Sequence, residues 1–389
     1  MAENNNSVIV NRLPSLTWNR LGVNRAFVDL DRLPEVSAEA VQTSVNTEQV
    51  RTETKPTAEA VAWADGFSQG IRRESCIAAK TAIYQEQAFA TGLGGDYTDL
   101  IEKLVPETKI YTVEENQKPE KPVILSWDFG DGAKAAAQQI IYAKKGSEST
   151  VLLNCISSRE AAGHCAFETK VILEEGAVVH LMKVNLLGSG FVVMDDSAAV
   201  VGDNAVFDFI QMELGGSNTY TGCYADQCGK ESVFTVNTGY MANRDHLMDI
   251  NYVAAQRGKN TDSKIYVRGS LRDTAEKVFR GTIDFRRGSK GSVGDEQEDV
   301  LIFDPGVVNK TVPVILTEEE EVDGRHGATI GNLSKDILFY LGTRGIARAE
   351  AEMLMTRGRL LSVAHMIPDT DTVDKISDFI EEAFGDHES

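Results

Sequence analysis

The chain has 389 residues, 42% hydrophobic and 25% charged, an ordinary globular balance with room for one large core or two to three domains, which excludes general disorder. A net charge of −20 and a pI near 4.8 exclude nucleic acid as a partner, because backbone affinity comes from Lys and Arg neutralising phosphates. No apolar run approaches the roughly 18 residues of a membrane span, no charged-then-apolar leader opens the sequence, and five scattered cysteines suit a reducing compartment; a cytoplasmic protein without a membrane partner is expected.

Residues 1–115 read as a mixed, helix-rich N-terminal cap. The polar stretch Ser37 to Thr57 has little apolar periodicity and is expected to be a loop or linker. From Ala58 to Ala90, Val61, Ala64, Phe67, Ile71 and Ala78 recur at helical spacing, and Asp99 to Leu104 offers a second, short helix.

The pattern changes near Pro122. Short β-branched and aromatic runs follow one another: Val123–Leu125, Gln139–Ala143, Val151–Ile156, Ala166–Leu173, Val178–Val184, Val206–Met212, Ser232–Asn237, Ile265–Val267 and Val278–Phe285. No helical segment interrupts them, so alternating βα units are disfavoured. Glu175-Gly-Ala-Val-Val-His-Leu and Asp203-Asn-Ala-Val-Phe-Asp-Phe align with Ala177 and Ala205 28 residues apart, and Ser232-Val-Phe-Thr-Val fits a third copy 27 further on. Such a period favours stacked coils that bury their apolar faces on one another, and hence a parallel β-helix over 116–325, above a sandwich or barrel.

From 326 to 389 the sequence turns helical. Ser334 is placed to cap a helix carrying Ile337, Leu338 and Leu341; Ala347 to Met355 is rich in helix formers. Thr372 to Phe384 puts Val373, Ile376, Phe379, Ile380, Ala383 and Phe384 on one face, which must dock on something.

The sequence lacks a phosphate loop, a His-Glu-x-x-His pair and a Cys-x-x-Cys pair, so no catalytic residue is assigned and no enzyme is expected. Gly92-Leu-Gly-Gly95 lacks the preceding strand a dinucleotide site needs. Candidate soft-metal ligands are His164, Cys165, Cys223, Cys228, His180, His246 and His326. Neighbours in a strand point to opposite faces, so His164 and Cys165 cannot share an ion. Cys223 and Cys228 sit in a turn-like segment and are better read as packed thiols, as are most of the cysteines, Cys76 and Cys155 included. The acidic run Glu318 to Glu321 with Asp323 reads as a solvated edge, because consecutive extended side chains alternate faces. His326 stands where β-type sequence meets helical sequence, and its imidazole can ligate iron or move a proton, with Arg325 beside it disfavouring the charged form. Paired carboxylates on a β-helix also leave open a carbohydrate-active enzyme, although no defined acid pair emerges.

Pro313-Val-Ile, His326-Gly-Ala-Thr-Ile-Gly, Leu338-Phe-Tyr-Leu, Arg344-Gly-Ile and Ala349-Glu-Ala-Glu-Met-Leu354, with Leu13-Pro-Ser-Leu-Thr-Trp-Asn-Arg-Leu-Gly-Val-Asn24 near the start, resemble the SufB/SufD family of iron–sulfur cluster assembly scaffolds. By length, and by having His in the C-terminal turn, the chain looks more like SufD than the longer SufB. The resemblance implies a right-handed parallel β-helix with helical flanks. It implies a complex with a SufB-like paralogue and a SufC-like ABC-type ATPase, docked through Leu338, Phe339, Tyr340, Arg344, Gly345, Ile346 and the segment to 361. No tightly bound cofactor is implied for the isolated chain, only a transient cluster at an interface, with His326 as this chain's contribution. Some SufD proteins carry Cys two positions before that His; here Gly324 removes the thiolate. Whether the chain alone forms a homodimer stays open.

Overall fold

The computed structural model describes residues 7–15, 17, 21–29, 42–44, 50–78 and 89–385; the side chains of 42–44, 73–78 (Cys76 among them) and 335 lie outside the described residues. The N-terminal region mixes short strands with two helices. It holds β1 (Ser7–Val10), β2 (Ala26–Asp29), β3 (Gln42–Ser44) and β4 (Arg51–Pro56), with α1 (Thr57–Ala78) and α2 (Gly95–Leu104). The helix expected to reach Ala90 is described to Ala78; residues 79–88 lie outside the described residues. The stretch expected as a linker instead supplies β3 and β4, which pair antiparallel with β6 (Val123–Phe129) and β5 (Glu107–Val113).

From β5 onward the chain coils as a parallel solenoid of two sheets. One sheet stacks β6, β8 (Glu148–Ser157), β10 (Val178–Leu186), β12 (Val206–Glu213), β14 (Val233–Ala242), β16 (Asp262–Leu271), β18 (Val293–Ile302) and β20 (Asp323–Gly331). The other stacks β5, β7 (Ala133–Ala143), β9 (Ala162–Leu173), β11 (Gly190–Val201), β13 (Asn218–Gln227), β15 (Leu247–Gln256), β17 (Glu276–Phe285) and β19 (Val308–Thr317). Each coil contributes one strand to each sheet. Ala177, Ala205 and Ser232 are all fully buried just ahead of β10, β12 and β14, so the sequence repeat is one turn of the solenoid.

One corner repeats the same backbone device. Asn116, Gly146, Gly176, Asn204, Glu231, Asn260 and Gly291 have φ between 55° and 79°, and their N–H groups donate to the carbonyl one coil on, as Gly146 does to Glu175 and Asn204 to Lys230. Gly and Asn populate this left-handed region at low cost, which explains six of these positions by chemistry alone and leaves Glu231 as the exception.

Strands β13, β18 and β20 escape the periodicity because their residues are polar, although they lie in ladder with apolar neighbours. The interior is correspondingly wet-looking in chemistry. Asn185 donates to Glu213 (2.8 Å), Gln211 to Glu213 (2.7 Å) and Thr221 (2.6 Å), Tyr252 to Gln211 (2.6 Å), and Lys183 to Asp195 (2.6 Å). Burial, then the neighbouring Asp195, pushes the Glu213 carboxyl up to about 8; on the other face of the second sheet, burial, then Glu168, does the same to Asp196.

The outer faces are covered from both ends of the chain. The β1–β2 hairpin and α2 pack Val8, Val10, Tyr97 and Ile101 on Ala166, Met194 and Tyr220. Arg280, fully buried, ion-pairs with Asp249 and donates to the Val23 carbonyl, and Asn11 donates to Asp249 (2.5 Å), which pins the hairpin. Gly92 and Gly222 approach backbone to backbone, so a Cβ on Gly92 would fall 2.1 Å from the Cys223 nitrogen; the Gly92–Gly95 run serves packing. At the other end α4 (Arg348–Ala364) and α5 (Thr370–Gly385) lay Leu360, Val363, Ile376 and Ile380 on Met182, Ile210, Met212 and Met241 of the first sheet. This is the docking that the amphipathic last helix requires.

Two outcomes follow for stability. Glu231→Gly relieves the left-handed strain and should raise stability by about 1 kcal/mol in urea denaturation; a lower midpoint would mean that the Glu231 side chain contributes more than the strain costs. Glu213 and Asp196 hold protons in the folded state that they lose in the unfolded state, so stability should fall as pH rises from 6.5 to 8 and level off above. His246, lowered to about 4 by burial, is half-protonated in the unfolded state at pH 6.5 and opposes the trend there by roughly half a proton against two, an opposition that is gone by pH 8. Denaturation midpoints across these pH values check the sign.

Candidate functional site

The last coil of the solenoid has nothing stacked on it among the described residues. At the N-terminal end β3 and β4 close both sheets, but β19 and β20 each have one strand neighbour only. Their unpaired edges and exposed Val308 and Ile330 form an open end.

His326 lies inside β20, which runs to Gly331, and so belongs to the terminal strand and not to the strand-to-helix junction. It is in register with Glu296 of β18. The inward row beneath it reads Val123, Val151, Leu181, Phe209, Val236 and Ile265, then Glu296 and His326. Six coils of apolar packing thus end in an acid and an imidazole. Arg325 points to the opposite face and is engaged by Asp323, so its charge is not directed at His326.

Glu296 is 2% exposed, and burial, then the neighbouring Glu298, pushes its carboxyl up to about 8. Glu298 is fully buried and paired with Lys277, whose ammonium is also fully buried; Thr311 donates to Glu298 at 2.5 Å. Burial lowers the Lys277 pKa against the opposing pull of Glu298. The mouth of the solenoid is therefore a charge-balanced Lys277–Glu298 pair beside an acid with a free oxygen.

The acidic run has a structural task as well as an exposed one. Glu318 and Glu319 accept from the Arg287 and Gly288 N–H groups (3.4 and 3.2 Å), and Glu321 pairs with Lys290 (2.6 Å), tying the last corner to the one before. Gly324 faces inward against Phe285 and Ile315.

The remaining candidates are scattered. Cys165 is buried inside the solenoid with His164 on the opposite face; Cys223 is interior, whereas Cys228 packs outside against α1. Most of the segment read as a turn around these two cysteines is strand β13, which holds Cys223 and ends one residue before Cys228. Cys155 lies half-buried against the interior cluster, and burial drives its thiol pKa well up. His180 meets Asp208 at 3.0 Å on the outer face, and His246 bonds Thr219. Among the described residues no three His, Cys, Asp or Glu side chains converge on one ion.

After β20 comes α3 (Lys335–Thr343), capped by Ser334, whose hydroxyl accepts from Ile337. Phe339 is 76% exposed, Tyr340 55% and Ile337 48%. Arg344 lies 4.8 Å over the Tyr340 ring, Gly345 turns the chain at φ 83°, and Ile346 donates back to Leu341.

Lys277, Glu296 and Glu298 escape a reading by motif. Asp295-Glu296-Gln297-Glu298-Asp299 has no apolar alternation to betray a strand; only the coil period, which sets Glu296 30 residues before His326, connects them.

Residues 129–359, more than half of the chain, match the family model described as SUF system FeS cluster assembly, SufBD core domain. The chain belongs to the SufBD family. It is similar to the iron–sulfur cluster assembly protein SufD of Bacillus subtilis, with 29% identity over 111 residues, 28% of this chain and 25% of that protein. It is also similar to SufBD family proteins of Mycobacterium bovis, 26% identical over 164 residues (42% of this chain, 19% of the relative), and Staphylococcus saprophyticus, 23% over 192 residues (49% and 41%). The matches thus span well under two thirds of these relatives. The SufBD core match takes in His326, the open end and α3, and ends within α4.

Removal of Lys277 tests the charge balance. Lys277→Met leaves Glu298 buried without its cation and should cost about 3–5 kcal/mol, whereas exposed His326→Ala should change stability by less than about 0.5 kcal/mol, both read by chemical denaturation.

Proposed function

We propose that the chain is a non-enzymatic scaffold subunit of a cytoplasmic SUF machine, on which iron–sulfur clusters are assembled and passed on. The observation that carries this reading is the open end of the solenoid, where an inward apolar row finishes in Glu296 and His326 between unpaired strand edges. A SufB-like paralogue, itself a solenoid of this family, would complete those edges by strand addition, a recognition mode that uses backbone hydrogen bonds for affinity. His326 then supplies one nitrogen ligand to a transient cluster whose remaining ligands come from the partner. The cluster is cargo, formed at the interface and released.

The exposed apolar face of α3 is the proposed seat of a SufC-like ATPase. Phe339 and Tyr340, with Arg344 over the tyrosine ring, have the aromatic and Arg character of interface hot spots. The absence of a phosphate loop from this sequence agrees with a nucleotide held by the partner. In the absence of both partners the open end is free to pair with a second copy of the chain.

Co-expression with SufB-like and SufC-like proteins tests both surfaces. Phe339→Asp should weaken ATPase capture by about 2 kcal/mol or more while sparing the paralogue. Ile330→Asp should do the reverse and also dissociate any homodimer. His326→Ala should leave both associations intact and reduce cluster loading, read by visible absorption of the anaerobic complex. Association with neither partner would refute the scaffold reading.

A further inference from the structure

Two acids share the penultimate coil at the open end, and their situations differ. Glu298 is consumed, with one oxygen on Lys277 and the other on Thr311. Glu296 is equally buried, yet its Oε2 has no hydrogen-bond partner among the described residues. Buried polar atoms are nearly always satisfied, so an orphan acceptor calls for an absent donor, cation or water. A packing role for Glu296 is a poor account, since six coils below fill the same row with hydrocarbon.

Space has been made for this carboxylate. The row facing it on the second sheet carries Cys223, Tyr252 and then Gly281, and a Cβ on Gly281 would lie 2.4 Å from the Glu296 Cδ. The glycine has no positive φ to explain it. Directly above, in register, stands exposed His326, so an imidazole and a carboxylate come from adjacent coils of one inward row with no further strand above them among the described residues. The nearby ammonium of Lys277 is neutralised by Glu298 and does not repel a cation.

We propose that the Glu296 carboxylate is a second protein ligand, beside the His326 imidazole, for a divalent first-row transition ion entering the open end of the solenoid. Imidazole nitrogen and carboxylate oxygen together suit such ions, ferrous iron included, and water or a partner side chain fills the remaining positions. The inference rests on the reading of His326 as this chain's contribution to cluster assembly, and adds a residue of this chain to it.

The test uses the full chain, purified anaerobically, titrated with Co²⁺ as the probe and followed by its visible d–d absorption and by calorimetry. Wild type should bind one ion. His326→Ala and Glu296→Gln should each weaken binding by on the order of tenfold or more, the scale at which even outer partners of a metal site act. Gly281→Ala, which keeps both ligands but displaces the carboxylate, should weaken it too, while Glu320→Gln on the exposed corner should not. Glu296→Gln should melt no lower than wild type, since it removes an unpaired buried acid. Wild-type affinity in Glu296→Gln alongside a weakened His326→Ala overturns this inference and leaves the His326 reading standing. Unchanged binding in His326→Ala, or no binding by wild type, overturns this inference; the His326 reading itself, whose other ligands come from the partner, falls only if His326→Ala leaves cluster loading of the anaerobic complex unchanged. A lower melting temperature for Glu296→Gln assigns the carboxyl to the core and overturns the ligand role.

Discussion

Everything in this molecule depends on the in-register stacking of one coil on the next. A coil of the solenoid cannot bury its inward side chains alone; the coil above and the coil below do it. The register is strict from Val123 to His326, without a slip in the inward row, and the left-handed corner residues hold it by passing a backbone hydrogen bond from coil to coil. Such a structure has two ends that must be dealt with. The N-terminal end is closed by antiparallel β3 and β4, which break the parallel pattern and stop the ladder. The C-terminal end is left as strand edge, and that asymmetry places the site.

The same stacking governs the electrostatics. A carboxylate inside the solenoid has left water, so it must be paired, bonded or neutral. Lys183 answers Asp195 and Lys277 answers Glu298, while Glu213 and Glu296 are pushed up to about 8. The formal charge of −20 counts these groups as ionised, and the surface therefore carries less of it than composition implies. Where Arg72 and Arg257 flank Asp226, burial raises the carboxyl and the two guanidinium groups outweigh it, holding it below the ordinary range.

Much of the fold is legible in the sequence for a physical reason. The strands that pack hydrocarbon inward show themselves by β-branched runs, and Ala177, Ala205 and Ser232 mark the coil because a small residue is needed where the chain enters each strand of the first sheet. The helices after Ser334 are legible from capping and periodicity. What is hidden lies where stacking and not side-chain chemistry decides. Strand β18 is a run of acids and amides, β13 looks like a turn, and β3 and β4 sit in a stretch without apolar pattern; each is a strand because its neighbours are. For the same reason His326 is visible as a single residue, but Glu296 becomes its neighbour only when the coil period is carried across a segment with no periodicity of its own.

The C-terminal region divides by what its apolar residues touch. Leu360 and Val363 of α4, with Ile376 and Ile380 of α5, are spent on the first sheet and belong to the core. The resemblance treats the stretch from Leu338 to 361 as one docking region, but burial separates it: only α3 and the outer face of α4, with Leu354 at 44% and Met355 at 42% exposure, remain for a partner. A short helix with Phe339 three-quarters exposed gains little from its own fold, and isolated helices of this length are marginal in water. Its stability and its apolar surface both make physical sense once a second protein lies against it, and that surface stands directly after the strand carrying His326.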